Sequence, residues 1–197
     1  MELTNSIGMK LVMIPKGTFI LGSPESEWGR LDNEAQHQVT LTKDFYLGVT
    51  EVTQAQYINV MGDNPSGHQD DLVQGDSSSY PVEQVSWEDA VEFCKKLSDM
   101  PEEKKARRVY RLPTESEWEY ACRAGSNTAF SFGDEAESLS EHGWFDENSN
   151  FGTRPVGELK PNSWGLYDMH GNVWEWCCDW YGGYPKGAVS DPVGPQA

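Results

Sequence analysis

Positive charge is scarce in this chain. Its 197 residues carry 15 Lys and Arg against 32 Asp and Glu, a formal net charge of −17. Such a surface repels phosphate backbones and anionic headgroups, which excludes nucleic acid and membrane as partners. Long apolar runs are missing too, since no stretch approaches the ~20 residues that span a bilayer. Leu11-Val12-Met13-Ile14 near the start is short and lacks the basic n-region of a secretory leader. The expectation is a cytoplasmic protein if Met1 is the native start, or one whose leader has been removed. Cys94, Cys122, Cys177 and Cys178 are too few for a disulfide scaffold and form no CxxC pair, so structural zinc is disfavoured. A bridge between neighbours Cys177 and Cys178 needs a strained ring, and free thiols are expected. His37, His68, His142 and His170 show no HxxxH or HExxH spacing, and no GxSxG elbow exists. Transition-metal and serine-nucleophile chemistry therefore lack a motif.

Aromatic and turn-forming residues are plentiful. Despite a mean hydropathy of −0.65, 8 Trp, 8 Tyr and 7 Phe provide the apolar surface that disordered chains lack. With 19 Gly and 11 Pro, much of the chain is expected to be turn and loop. No repeat, low-complexity tract or linker divides it, so residues 1–197 are read as one domain. Ser86-Trp87-Glu88-Asp89 starts a helix in which Trp87, Ala90, Val91, Cys94 and Leu97 form one apolar stripe. Thr114-Glu115-Ser116-Glu117 is a capping box for a second helix, with Trp118, Ala121 and Cys122 on one face and Gly125 as its stop. A third, from Thr53 to about Met61, turns Tyr57, Ile58 and Met61 inward. Strands are expected at Leu11–Ile14 and Thr18–Leu21, joined as a hairpin through Pro15-Lys16-Gly17, and at Gln38–Thr42 and Phe45–Val49. Beyond Gly125 no helical period survives.

The most distinctive stretch runs from Asn162 to Trp176. Its acids Asp168 and Glu175 stand seven residues apart around His170-Gly171-Asn172. A loop folding back there would bring the two carboxylates together with backbone carbonyls between them. Hard oxygen donors of that kind suit Ca²⁺; the alternative is that both acids bond backbone N–H groups in turns. Asp146-Glu147-Asn148-Ser149-Asn150-Phe151-Gly152 alternates Asp, Asn and Asn like an EF-hand opening. Its glycine comes one place late and the twelfth position is Gly157 rather than Glu, so an EF-hand is ruled out. An irregular cation site at Asp146 and Asn148, or a solvated turn, are the two readings left. Cys94 and Cys122 sit on apolar helix faces, where burial raises a thiol pKa and removes its nucleophilicity.

Several blocks together resemble a known family. Met13-Ile14-Pro15-Lys16-Gly17-Thr18-Phe19 with Gly22-Ser23, residues 45–53, residues 81–87, Arg111 through Ala121, and Trp164 through Trp176 follow one another over almost the whole chain. Their order and content resemble the formylglycine-generating enzyme family, the sulfatase-modifying factor domain. The resemblance implies a single loop-rich α+β domain related to the C-type lectin fold. It also implies two calcium sites. One takes the Asp168 side chain, the Gly171 and Val173 carbonyls and the Glu175 carboxylate; the other lies around Asp146, Glu147, Asn148 and Asn150, in a shortened loop.

Enzymes of that family oxidise a sulfatase cysteine to formylglycine with molecular oxygen, through a cysteine pair near the C-terminus that binds Cu(I), an ion soft thiolates favour. None of the four cysteines here matches that pair, which is expected beyond Ala197 in a full-length catalytic parent; copper belongs only there. The expectation is a chain inactive by itself, whose parent acts on a protein or peptide, as the family's enzymes act on a sulfatase. The alternative is a non-catalytic lectin-like module that binds a peptide or protein.

Overall fold

The computed structural model describes residues 1–27, 30–31, 33–69, 73, 76–185 and 187–194. Two small sheets organise the first quarter of the chain. In one, β2 (Lys10–Ile14) is flanked by antiparallel β1 (Glu2–Thr4) and β5 (Phe45–Gly48), with Leu11 opposite Gly48 and Ile14 opposite Phe45. In the other, β4 (His37–Leu41) lies between antiparallel β3 (Gly17–Leu21) and parallel β6 (Val189–Ser190), with Phe19 opposite Val39.

The hairpin expected through Pro15-Lys16-Gly17 does not form, because β2 and β3 belong to different sheets. Pro15 has no N–H to give a ladder, and the Lys16 N–H donates to Asp44 Oδ1 at 2.8 Å. Gly17 then passes so close to the Tyr120 hydroxyl that a β-carbon there would overlap it. The chain thus changes sheets where the sequence looked like a turn.

The helices start where their caps place them. Thr53 and Gln56 form a reciprocal capping box on α1 (Gln54–Met61), which Gly62 ends at φ 91°. Ser86 and Asp89 do the same for α2 (Trp87–Asp99), and Thr114 and Glu117 for α4 (Glu115–Arg123). The buried face of α2 is rotated from the expected stripe. Phe93 and Leu97 are buried, whereas Trp87 and Val91 are each 37% exposed. The pair three and four residues below Leu97 is Cys94 and Phe93, and the Trp87 indole turns away to donate to the Cys177 carbonyl at 2.9 Å. On α1, Tyr57 is buried but Ile58, expected inside, is 42% exposed. One short helix, α3 (Pro101–Ala106), was not foreseen, although Pro101 occupies its first turn. After α4 there are only a 3₁₀ turn at Ala136–Glu141, α5 (Asp146–Ser149) and β6. The result is a loop-rich α+β structure. No helix among the described residues is long and apolar enough to cross a membrane.

Alternation along β2 feeds two cores. Val12 and Ile14 join Leu21, Val39, Leu41, Tyr120, Ala121, Leu166 and Met169 between the sheets and α4. Leu11 points the other way, to Ile7, Met9, Tyr57, Phe93 and Leu97. Between the cores opens a cavity of about 600 Å³, lined among others by Leu11, Leu47, Val82, Leu97, Tyr110 and Met169.

Candidate cation loop and apolar groove

The loop carrying Asp168 and Glu175 is held from several sides. Buried Asn162 donates to the carbonyls of Ala121 (2.8 Å) and Cys122 (3.1 Å) at the end of α4 and accepts from the Trp164 and Leu166 N–H groups. The Tyr167 N–H donates to Val49 O at 2.9 Å, tying the loop to the segment after β5. Gly171 N donates to Asp168 O, and Asn172 N to Trp144 O. The Asn172 amide meanwhile bonds both backbone groups of Arg154. A β-carbon on Gly171 would overlap the Trp144 carbonyl. Asp168 and Asn172 adopt φ values of 59° and 72°, the left-handed region that Asn and Asp tolerate best.

These contacts set Asp168 deep in the protein, only 2% exposed. Its Oδ2 accepts from Gly157 N at 2.7 Å, bridging to another loop, while Oδ1 is buried without a partner. One oxygen of this acid is thus bonded to backbone and the other is free. Burial pushes its carboxyl upward, opposed by the Gly157 bond. Glu175 keeps exposed surface as a residue, yet protein crowding its carboxyl raises it to about 7, with the Asp168 charge adding to this and the nearby Trp118 indole opposing it. Sequence reading missed a third acid. Glu51, after β5, is 9% exposed with neither carboxylate oxygen partnered, and burial, then the Asp168 and Glu175 charges, drives its carboxyl far up.

The other proposed loop is arranged differently. Asp146 lies in the first turn of α5, and Asn148 is spent locally, its Oδ1 accepting from Phe145 N at 2.7 Å and its Nδ2 donating to Gly143 O at 2.9 Å. Among the described residues, no three His, Cys, Asp or Glu side chains come close enough to hold a metal ion by themselves. A cation there would need backbone carbonyls as well, the part the sequence reading assigns to Gly171 and Val173. His170 is not part of such a site. Its Nε2 faces Ser131 N and Oγ at 3.2 and 2.9 Å, and burial lowers it to about 4, so it is neutral.

All four cysteines are free. Burial lifts Cys94 to about 11 and Cys122 and Cys177 to about 12, and raises Cys178 as well. Cys122 Sγ donates to Met169 O at 3.5 Å, the role of a protonated core thiol. Beside the acids, the apolar cavity runs along β5, an edge strand of its sheet, and is lined by the irregular segment from Arg107 to Pro113. Trp174, fully exposed, and Trp176, 51% exposed, stand among its walls.

The sulfatase-modifying factor enzyme 1-like domain family matches residues 4–193. The chain belongs to this family. It is 34% identical over 189 residues to the chaperone protein LppX of Paenibacillus barcinonensis, covering 73% of this chain and 64% of that one. Against the formylglycine-generating enzyme of Mus musculus it is 29% identical over 231 residues, with 87% and 58% covered. It thus spans roughly three fifths of these relatives. Treponema denticola variable protein 1 superposes with a TM-score of 0.85 at 29% identity, over 98% of this chain and 83% of that one. The formylglycine-generating-enzyme type of fold, C-type-lectin-like, is therefore the fold of this sulfatase-modifying factor domain.

Proposed function

We propose that residues 1–197 are the scaffold of a formylglycine-generating-type domain, and that the four thiols present do not carry out the family's cysteine oxidation. One observation carries this reading: every thiol is pushed up by burial, so thiolate is nearly absent at neutral pH. They also do not fit a Cu(I) site. Cys94 and Cys122 stand on separate helices in different cores, and neighbours Cys177 and Cys178 match no family catalytic position. The test is incubation of this chain with a cysteine-containing sulfatase peptide, copper and oxygen. No aldehyde is expected, and its appearance would overturn the reading.

The second element is calcium at the Asp168–Glu175 loop. Asp168 and Glu175 would hold the ion with the Gly171 and Val173 carbonyls, and the partnerless Asp168 Oδ1 supports the fit. A bound divalent cation supplies positive charge that offsets clustered carboxylates and fixes the loop. At the other loop Asn148 already bonds two backbone groups, so a cation beside Asp146 would have to displace them.

The groove supports a second reading, a protein-binding module. An extended segment of a protein partner would add to the outer edge of β5 and place apolar side chains in the cavity. Slower hydrogen exchange across Phe45–Gly48 on adding a candidate partner supports this reading; unchanged exchange with a partner that binds elsewhere rejects it.

A further inference from the structure

We propose that the groove between the two cores binds a long-chain carboxylate, with the acyl tail in the cavity and the headgroup on Arg107. This goes beyond the peptide reading and puts a different occupant in the same groove. The cavity of about 600 Å³ falls within the range of about 300–1,000 Å³ that encloses a small molecule. Its lining is chiefly apolar, with Leu11, Leu47, Val82, Phe93 and Leu97 among its walls. Leu11, Phe93 and Leu97 are buried members of the second core, so that wall is fixed by packing.

One part of the lining departs from this. Arg107-Arg108-Val109-Tyr110-Arg111 sets three of the chain's 15 Lys and Arg within five positions, with no acid among them, in a chain of net charge −17. Two of the three are neutralised. Arg108 Nη1 lies 3.3 Å from Glu103 Oε2, and Arg111 forks the Glu117 carboxylate through two bonds of 2.6 Å. Arg107 caps α3 in the left-handed region, and its exposed side chain makes no ion pair or hydrogen bond among the described residues. Val109 beside it is 85% exposed. The acids in the lining are engaged elsewhere: Glu117 holds Arg111, while Glu51 and Glu175 interact with Asp168. The groove therefore offers one unanswered positive charge next to an apolar cavity, which an amphipathic anion complements. A peptide lying deeper than the edge of β5 would bring N–H and C=O groups that the irregular wall from Arg107 to Pro113 has no strand to match. An acyl chain brings none.

The experiment is titration calorimetry of the whole chain in EDTA, which keeps the acidic loop's cation out of the result. Decanoate, dodecanoate and dodecyltrimethylammonium are compared, each below its micelle concentration. Dodecanoate should bind one to one and about tenfold more tightly than decanoate, because two more methylenes are buried. The cationic amphiphile should bind more weakly, although a chain of −17 attracts it. Arg107→Gln should weaken dodecanoate severalfold, the scale of one exposed ion pair, with its melting temperature unchanged in the absence of ligand. Val82→Phe, which fills the cavity, should abolish binding; if it melts early, the chain-length series and Arg107→Gln decide. Dodecanoate binding that does not saturate, or that ignores chain length, would overturn the site. Equal binding of both charge types, or wild-type affinity in Arg107→Gln, would overturn the headgroup assignment. Slowed hydrogen exchange at Phe45–Gly48 with a protein partner, where dodecanoate fails to bind, would give the groove to the peptide instead.

Discussion

Glu103 ties the N-terminus to the second core through one carboxylate. Its side chain has no exposure. It accepts from Ser6 N at 2.7 Å, Tyr110 OH at 2.5 Å and Arg108 Nη1 at 3.3 Å. Burial alone would raise this acid, but hydrogen bonds from the Ser6 side chain and backbone, Tyr110 and Arg108 outweigh it and bring it to about 2 from an ordinary 4.5. A depressed folded-state value means that the contribution is complete above 4.5 and is lost as pH falls toward 2. Urea denaturation should show Glu103→Gln destabilised by about 2–4 kcal/mol at neutral pH. The difference from wild type should shrink through that acid window. Thiol chemistry gives a second prediction at this scale. Ellman's reagent at pH 7 should label the native protein far more slowly than a free thiol, and unfolding should expose all four cysteines. Rapid labelling of native protein would contradict the burial described for Cys94, Cys122 and Cys177.

Among the elements, the caps were the most legible features. Ser86 and Thr114 could be placed from short side chains followed three residues later by Asp or Glu, and both boxes form, as does one at Thr53, where the sequence reading started a helix without naming its cap. Thr114→Ala should cost about 1 kcal/mol, read by thermal or urea melting. Faces and partners were less legible. The stripe of α2 was misplaced because two overlapping sets of apolar residues fit helical spacing, and only packing against Tyr57 and Leu11 selects Phe93 with Leu97. The β2–β3 connection misled because Pro-Lys-Gly reads as a turn locally, while Asp44 and Tyr120, distant in sequence, direct the chain into another sheet. Within the acidic loop, Gly171 was visible as a turn, but the reason for it is the Trp144 carbonyl against its α-carbon. Gly171→Ala should therefore destabilise the protein by several times the roughly 1 kcal/mol expected of a solvent-facing glycine change. It should also weaken any calcium response.

At the scale of the whole molecule, the acidity that opened the sequence resolves into two parts. Most of the −17 is surface charge, but Glu51, Asp168 and Glu175 are brought together where carboxylates repel. The motif made Asp168 and Glu175 findable. Glu51 was not, because it is more than a hundred residues away in sequence, and tertiary contacts such as the Val49–Tyr167 backbone bond bring the two segments together. The groove was equally illegible, since a cavity between two cores is a property of the assembled elements. The central claim is that a calcium ion orders the acidic loop of this scaffold. Thermal melting with and without calcium tests it most directly. Wild type should melt about 5–10 °C higher at a hundredfold excess over Kd, because a ligand bound only to the folded state stabilises by mass action. The double variant Asp168→Ala, Glu175→Ala should show no rise. A wild type indifferent to calcium, or a double variant that still responds in full, would contradict the account.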